Sequence, residues 1–211
     1  MKKVFITGST KGIGKEIALA FLGREDYRVI VHGRSYDSPD FVKNNRNCSY
    51  FSFDLVDFKN INKIIEFLNN EKIDIFINNA GLYSAEDLSE VLLVNYVSPS
   101  LIINTILPLL EEKEGILINI NSLAGIFPNF NESIYCSTKF GMDGYFKSLQ
   151  SNFSSKIKIT QYYLGATKTN MTKGRENYDN LIDPAEFAES LVVDLSAESF
   201  ITQSKIIKRK K

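Results

Sequence analysis

Three glycines, Gly8, Gly12 and Gly14, fall within Thr7-Gly8-Ser9-Thr10-Lys11-Gly12-Ile13-Gly14, between the apolar run Val4-Phe5-Ile6 and a helical pattern over Ile13 to Leu22. An apolar run that short, stopped by turn residues, reads as a strand, Lys3 to Ile6. Glycine at its end lets the backbone turn sharply into a helix, because no Cβ obstructs a left-handed or closely packed residue. A strand that feeds straight into a helix is the first half of a βαβ unit, and a sheet built of such units is parallel. The rest of the chain keeps the alternation. Further strands are expected at Arg28 to Val31, Ser49 to Phe53, Ile73 to Ile77, Gly115 to Asn121, Lys156 to Tyr163 and Ser204 to Ile207. Helices are expected at Phe58 to Asn69, Glu86 to Leu110, Ile134 to Asn152 and Pro184 to Leu195, the last capped by Asp183 with Pro184 in its first turn. The strands are apolar throughout, the mark of burial on both faces. Met171 to Ile182 is polar and reads as a mobile loop.

Seven strands and five helices in 211 residues, 44% of them hydrophobic, predict one α/β domain over residues 1–211, a doubly wound parallel sheet with helices on both faces. With 25 basic and 25 acidic residues, the chain has no general attraction for nucleic acid or anionic lipid, and neither is expected as a partner. The basic end, Lys205, Lys208, Arg209, Lys210 and Lys211, reads as a solvated tail. Cys48 and Cys136 have no metal-ligand spacing and read as reduced thiols of a cytoplasmic protein. Met1-Lys2-Lys3 resembles the start of a signal peptide, but Val4-Phe5-Ile6 is too short a core for one. Leu101 to Leu110, interrupted by Asn104, Thr105 and Pro108, is too short to cross a membrane.

The glycine turn also has a chemical reading. Backbone amides and the positive end of a helix dipole, approached closely because glycine has no side chain, hold a pyrophosphate. Many dinucleotide folds place an acid at the end of the second strand for a ribose 2′-hydroxyl. Here Val31-His32-Gly33-Arg34 offers a guanidinium instead, and Lys11 adds a second cation, which favours a 2′-phosphate. Asp37 and Asp40 leave an unphosphorylated ribose open.

Tyr135 and Lys139, four residues apart, share one helix face, with Ser122 upstream. A phenol of pKa about 10 is a poor acid-base group near neutrality. Lowering it by about three units requires roughly 4 kcal/mol, the effect of one ammonium about 4 Å away at an effective dielectric of about 20.

Taken together these motifs resemble the short-chain dehydrogenase/reductase family over nearly the whole chain. The resemblance is carried by the glycine motif Gly8, Ser9, Thr10, Lys11, Gly12, Ile13 and Gly14, by Asp54-Leu55, by Asn78-Asn79-Ala80-Gly81 and by Asn95, Ser122, Tyr135 and Lys139, all in the family's order. It implies a dinucleotide (Rossmann) fold and hydride transfer between a nicotinamide and a carbonyl or alcohol carbon. It further implies that Tyr135 exchanges the hydroxyl proton, Ser122 holds the substrate oxygen, Lys139 lowers the tyrosine pKa and bonds the nicotinamide ribose, and Asn95 anchors a proton-relay water. Arg34, Asp54, Leu55, Asn79, Ala80, Gly81 and Thr169 would join the glycine motif in holding the cofactor, NADP(H) ahead of NAD(H). Carbonyl reduction is the expected direction, with a homodimer or homotetramer formed through Glu86 to Leu110 and Ile134 to Asn152. A cofactor-binding sensor or scaffold without turnover is the alternative.

The chain departs from the family pattern in two places. Leu164 replaces the usual proline before Gly165, which implies a looser turn, and only Asn170 to Asp183 separates Thr169 from the last helix. Such a short segment leaves the site open to a bulky or carrier-bound carbonyl, with Lys168, Lys173 and Arg175 bordering the entrance. Phe127, Phe130 and Phe153 read as core or subunit contact, with Ile126 and Phe127 also placed to line the pocket, and His32 reads as structural with no evident partner. A 3-oxoacyl group on a carrier, a sugar-derived ketone and a small foreign carbonyl remain open as substrates.

Overall fold

A computed structural model describes residues 1–83, 87–152, 156–196 and 203–208. Seven strands form one all-parallel sheet: β1 Lys2–Ile6, β2 Tyr27–Gly33, β3 Cys48–Ser52, β4 Ile75–Asn78, β5 Ile116–Ser122, β6 Lys158–Leu164 and β7 Gln203–Ile207, in the order β3-β2-β1-β4-β5-β6-β7. The helices are α1 Gly12–Leu22, α2 Asp40–Lys43, α3 Asn62–Glu71, α4 Leu88–Leu92, α5 Ser98–Glu112, α6 Ser133–Asn152 and α7 Pro184–Ser196.

The continuous apolar runs serve both faces. Val4 and Ile6 join α1 and α7 in one core, Phe5 between them joins α3, α5 and α6 in the other, and all three are fully buried. Each such side chain contributes about 1.5–3 kcal/mol, so the sheet is held by helices on both sides.

All seven expected strands form, with ends shifted by a few residues. The helices differ more. Phe58–Asn60 is a separate 3₁₀ turn before α3, and α2 was not foreseen. The single expected helix from Glu86 begins outside the described residues at that position. Within them it is α4, a wider π turn over Leu93–Val97 that contains Asn95, and α5. This run from Leu88 to Glu112, 25 residues, is long and apolar enough to cross a membrane, contrary to the shorter stretch read from the sequence. Its apolar side is spoken for, since Ile102, Ile103, Ile106 and Leu110 are fully buried in the sheet-facing core. Phe130 is 96% exposed, so it is not core. Phe153, Arg209, Lys210 and Lys211 lie outside the described residues.

Strand order reverses between β1 and β4, where the connections leave in opposite directions and open a crevice at the carboxyl ends. Asn79 closes its floor: its side chain donates to the Thr7 and Gly8 carbonyls at 2.8 and 3.1 Å, and the Thr7 hydroxyl accepts from the Asn79 and Ala80 amides. A second polar device sits mid-sheet. Asn78 donates to Asn119, and Asn119 to Gln161, at 3.0 Å each, forming a buried row of amides across β4, β5 and β6.

Candidate active site

A cleft of about 1650 Å³ runs along these carboxyl ends. At one end are the glycine turn and the end of β2. Gly8 and Gly12 have φ of +62° and +58°, conformations that other residues rarely adopt. At Gly14 a Cβ would lie 2.4 Å from the Asn79 side chain and 2.6 Å from the Gly8 carbonyl, so only glycine lets α1 start so close to the β4 loop. The N-cap residue Lys11 makes no side-chain cap to α1, and the first residues of that helix, Gly12 and Ile13, line the cleft beside Thr10 and Lys11. Arg34 lines this end; Asp37 and Asp40 do not.

His32 has a partner that the sequence did not reveal: its Nδ1 accepts the Gly8 amide at 3.1 Å, while its own amide donates to the Ser9 hydroxyl. Burial lowers its pKa to about 4, against the raising influence of the Phe53 backbone and the Asp54 carboxylate, so the ring is neutral and can accept.

At the other end, β5 delivers Ser122 and α6 presents Tyr135 and Lys139 one turn apart. Ser122 and Tyr135 line the cleft together, and the exposed ring of Tyr83 meets Tyr135 edge-on at 5.5 Å. The Lys139 ammonium lies 5.6 Å from the Tyr135 ring centre and is 6% exposed. The expected lowering of the phenol pKa is not what this geometry gives. Burial pushes Tyr135 up to about 12; Ser122 opposes the rise, and Glu132 and Cys136 add to it. Lys139 is itself pushed down to about 8 by burial. Desolvation outweighs the attraction of an ammonium set against the ring face.

Asn121 joins the two halves of the pair, its side chain accepting from the Ser122 amide at 2.9 Å and donating to the Lys139 carbonyl at 3.3 Å. The pattern of residue types carried no signal for that link.

Ser122, Tyr135, Lys139, Gly8, Thr10, Lys11, Gly12, Ile13, Arg34, Asp54, Leu55, Asn79, Ala80, Gly81 and Thr169 all line the cleft. Three expected site residues do not. Ser9 is buried and donates to the Ile6 carbonyl, and Gly14 lies behind the turn. Asn95, in the π turn, accepts from the Leu82 amide at 2.7 Å and donates to the Leu82 carbonyl and the Thr138 hydroxyl, so its side chain ties the β4 loop to α6.

The segment after Thr169 is pinned at several points. Thr172 donates to the Thr167 carbonyl at 2.6 Å and accepts from the Thr169 amide, Ile182 bridges to Thr167, and Leu181 is buried. Leu164 extends β6 rather than loosening the turn: it pairs with both Ser122 and Ile207, and the next amide, Gly165, donates to Ile207 at 2.9 Å. Lys168, Arg175 and Phe127 line the cleft; Lys173 and Ile126 do not.

The model of the short chain dehydrogenase family matches residues 2–180. A 3-oxoacyl-(acyl-carrier-protein) reductase, FabG, of Aquifex aeolicus is 31% identical, covering 81% of this chain and 76% of its own. Very-long-chain 3-oxoacyl-CoA reductase-A of Danio rerio is also 31% identical over 83% of this chain, which spans only 61% of that relative's length. The solved alcohol dehydrogenase of Thermococcus sibiricus, complexed with 5-hydroxy-NADP, shares the fold with a TM-score of 0.85 at 20% identity, covering 99% of this chain and 97% of its own. The chain belongs to the short chain dehydrogenase family and is an oxidoreductase.

Proposed function

We propose that this single-domain enzyme is an NADP(H)-dependent reductase that converts a ketone to a secondary alcohol, a 3-oxoacyl thioester being the first substrate class to test. The observation that carries the reading is that Ser122, Tyr135 and Lys139 line one cleft, the Lys139 ammonium 5.6 Å from the Tyr135 ring centre, together with the uncapped start of α1. A volume of about 1650 Å³ exceeds the roughly 300–1,000 Å³ of a single-ligand pocket and has room for a dinucleotide and a second molecule.

The donor set fits the phosphorylated dinucleotide: amides of the glycine turn for the pyrophosphate, and Arg34 and Lys11, both exposed at that end, for a 2′-phosphate. Asp54, Leu55, Asn79, Ala80, Gly81 and Thr169 line the same cleft and would complete the cofactor's seat. When bound, NADPH supplies the hydride.

The protein supplies position and the proton. Ser122 holds the ketone oxygen. Tyr135, with its pKa near 12, keeps its proton at neutral pH and donates it to the oxygen as negative charge develops, since an alkoxide is the stronger base. A phenol held in its acid form suits reduction over oxidation. Lys139, an ammonium below pH about 8, bonds the ribose and offsets charge arising on the phenol. Asn95 positions α6 against the β4 loop. The relatives named as 3-oxoacyl reductases support the thioester class.

The test is NADPH consumption with carrier-mimic 3-oxoacyl thioesters, sugar ketones and simple diketones, with NADH in parallel. Turnover of one class with NADPH preferred is expected. Tight NADPH binding with no turnover on any class would overturn the reading, as would equal use of NADH.

A further inference from the structure

A second cavity, of about 250 Å³, opens beside the catalytic cleft and is lined by Leu123, Ala166, Leu181, Arg175, Asn177 and Lys208. Leu123, Ala166 and Arg175 also line the cleft, so the two spaces share a wall. Leu123 directly follows Ser122, about 3.8 Å away from Cα to Cα. The side cavity thus begins one residue from the group that receives the substrate oxygen.

Its chemistry is one-sided. Both ionisable side chains lining it are cations, and no carboxylate does so among the described residues. The Lys208 ammonium is held 5.6 Å from the ring of Phe127, itself a cleft residue. Arg175 Nη2 lies 3.6 Å from Glu132 Oε1, longer than the about 2.7–2.9 Å of a charge-assisted hydrogen bond. That contact steers the guanidinium and engages one donor of five. Two cations drawn to one cavity favour an anion there. Leu123 and Leu181 suit a short hydrocarbon link, and about 250 Å³, below the roughly 300 Å³ of a small whole-ligand pocket, suits one end of a molecule.

We infer that the substrate carries a carboxylate or phosphate a few bonds from its carbonyl, and that Arg175 and Lys208 receive it in this side cavity. The inference rests on the reductase reading and narrows its substrate class. A long neutral thioester would offer Lys208 no anion and leave Arg175 only its 3.6 Å contact with Glu132, whereas a short anionic ketone reaches both sites at once.

The test uses matched pairs with NADPH: 4-oxopentanoate against its methyl ester, and dihydroxyacetone phosphate against dihydroxyacetone. The wild-type enzyme is expected to favour the anion of at least one pair by about 10- to 100-fold in kcat/KM, the worth of one charged hydrogen bond. The favoured pair tells carboxylate from phosphate. The preference should fall to near one in Arg175→Ala/Lys208→Ala, persist in Arg175→Lys, and invert in Arg175→Glu. Because each variant is read as a ratio on the same preparation, a general loss of folding does not imitate the result. A wild-type ratio near one in both pairs, with the uncharged ketones turned over, overturns the inference and leaves the reductase reading standing. Saturation-transfer NMR with the two anions separates the opposite case: binding that the double variant loses, without NADPH consumption, supports the anion site and removes the reductase reading. Absence of binding as well as turnover overturns the inference.

Discussion

The two ends of the sheet handle charge in opposite ways. At the amino end, Lys113 meets Asp74 at 2.6 Å and Lys3 meets Glu71 at 3.1 Å, all four side chains partly solvated and each cation facing an anion. At the carboxyl end, Lys139 and His32 are buried with no carboxylate bonded to either, and burial displaces the pKa of each from its ordinary value. Paired, wet charges are cheap to keep and contribute little. Buried ionisable groups without an ionic partner are costly to charge, so Lys139 is shifted and His32 is held neutral, and such perturbed groups cluster where a fold does chemistry. The difference separates a structural end from a working end without reference to any relative.

The comparison breaks most readily at Tyr135. Tyr135→Phe removes the donated proton but keeps the ring against Tyr83, so kcat should fall about 10²- to 10⁴-fold with NADPH affinity nearly unchanged in a fluorescence titration. Retained turnover would mean that the carboxyl end owes its chemistry to another group.

His32 gives the next largest effect, in stability. Its folded pKa of about 4 lies below the ordinary 6.5, so between those values the unfolded chain binds more protons. Stability is therefore fully present above about pH 6.5 and declines as pH falls toward 4, by about 3 kcal/mol at 1.36 kcal/mol per unit. Protonation also removes the acceptor that Gly8 uses. Denaturant unfolding of wild type and His32→Leu at neutral and mildly acidic pH should show the loss in wild type only.

How much of this was legible in the sequence differs by kind of feature. The sheet, the glycine turn and the positions of Ser122, Tyr135 and Lys139 were visible because each depends on residue type at short, fixed spacing. The His32–Gly8 contact, across 24 positions, depends on two strand ends lying side by side, which no local pattern encodes. The direction of the Tyr135 shift was misread for a related reason: spacing puts Lys139 near the ring, while the degree of burial is set by the three-dimensional enclosure of the site, Tyr83 included. The π turn escaped because Leu93–Val97 keeps the apolar period of an ordinary helix. For Phe130, read as core or subunit contact, exposure removes the core alternative alone, because an exposed phenylalanine has the same letter as a buried one.

Smaller effects sharpen the contrast. Arg34→Ala should lower the preference for NADPH over NADH by about ten- to a hundredfold, roughly the worth of one charged hydrogen bond, read as the ratio of the two kcat/KM values. An unchanged ratio would move the 2′-phosphate away from Arg34. At the amino end, Lys113→Met should cost about 1 kcal/mol or less in denaturant unfolding, with kinetics unaltered. A larger loss would show that this end is not the inexpensive one.

The row of amides through Asn78, Asn119 and Gln161 makes the fold's tolerance of substitution uneven. Replacing any one of them strands a buried partner at about 1–3 kcal/mol, whereas exchanging all three for well-fitting aliphatic side chains is close to neutral. The three positions on β4, β5 and β6 therefore act as one unit in stability, tolerant of joint exchange and intolerant of single loss, although the first and last lie 83 positions apart.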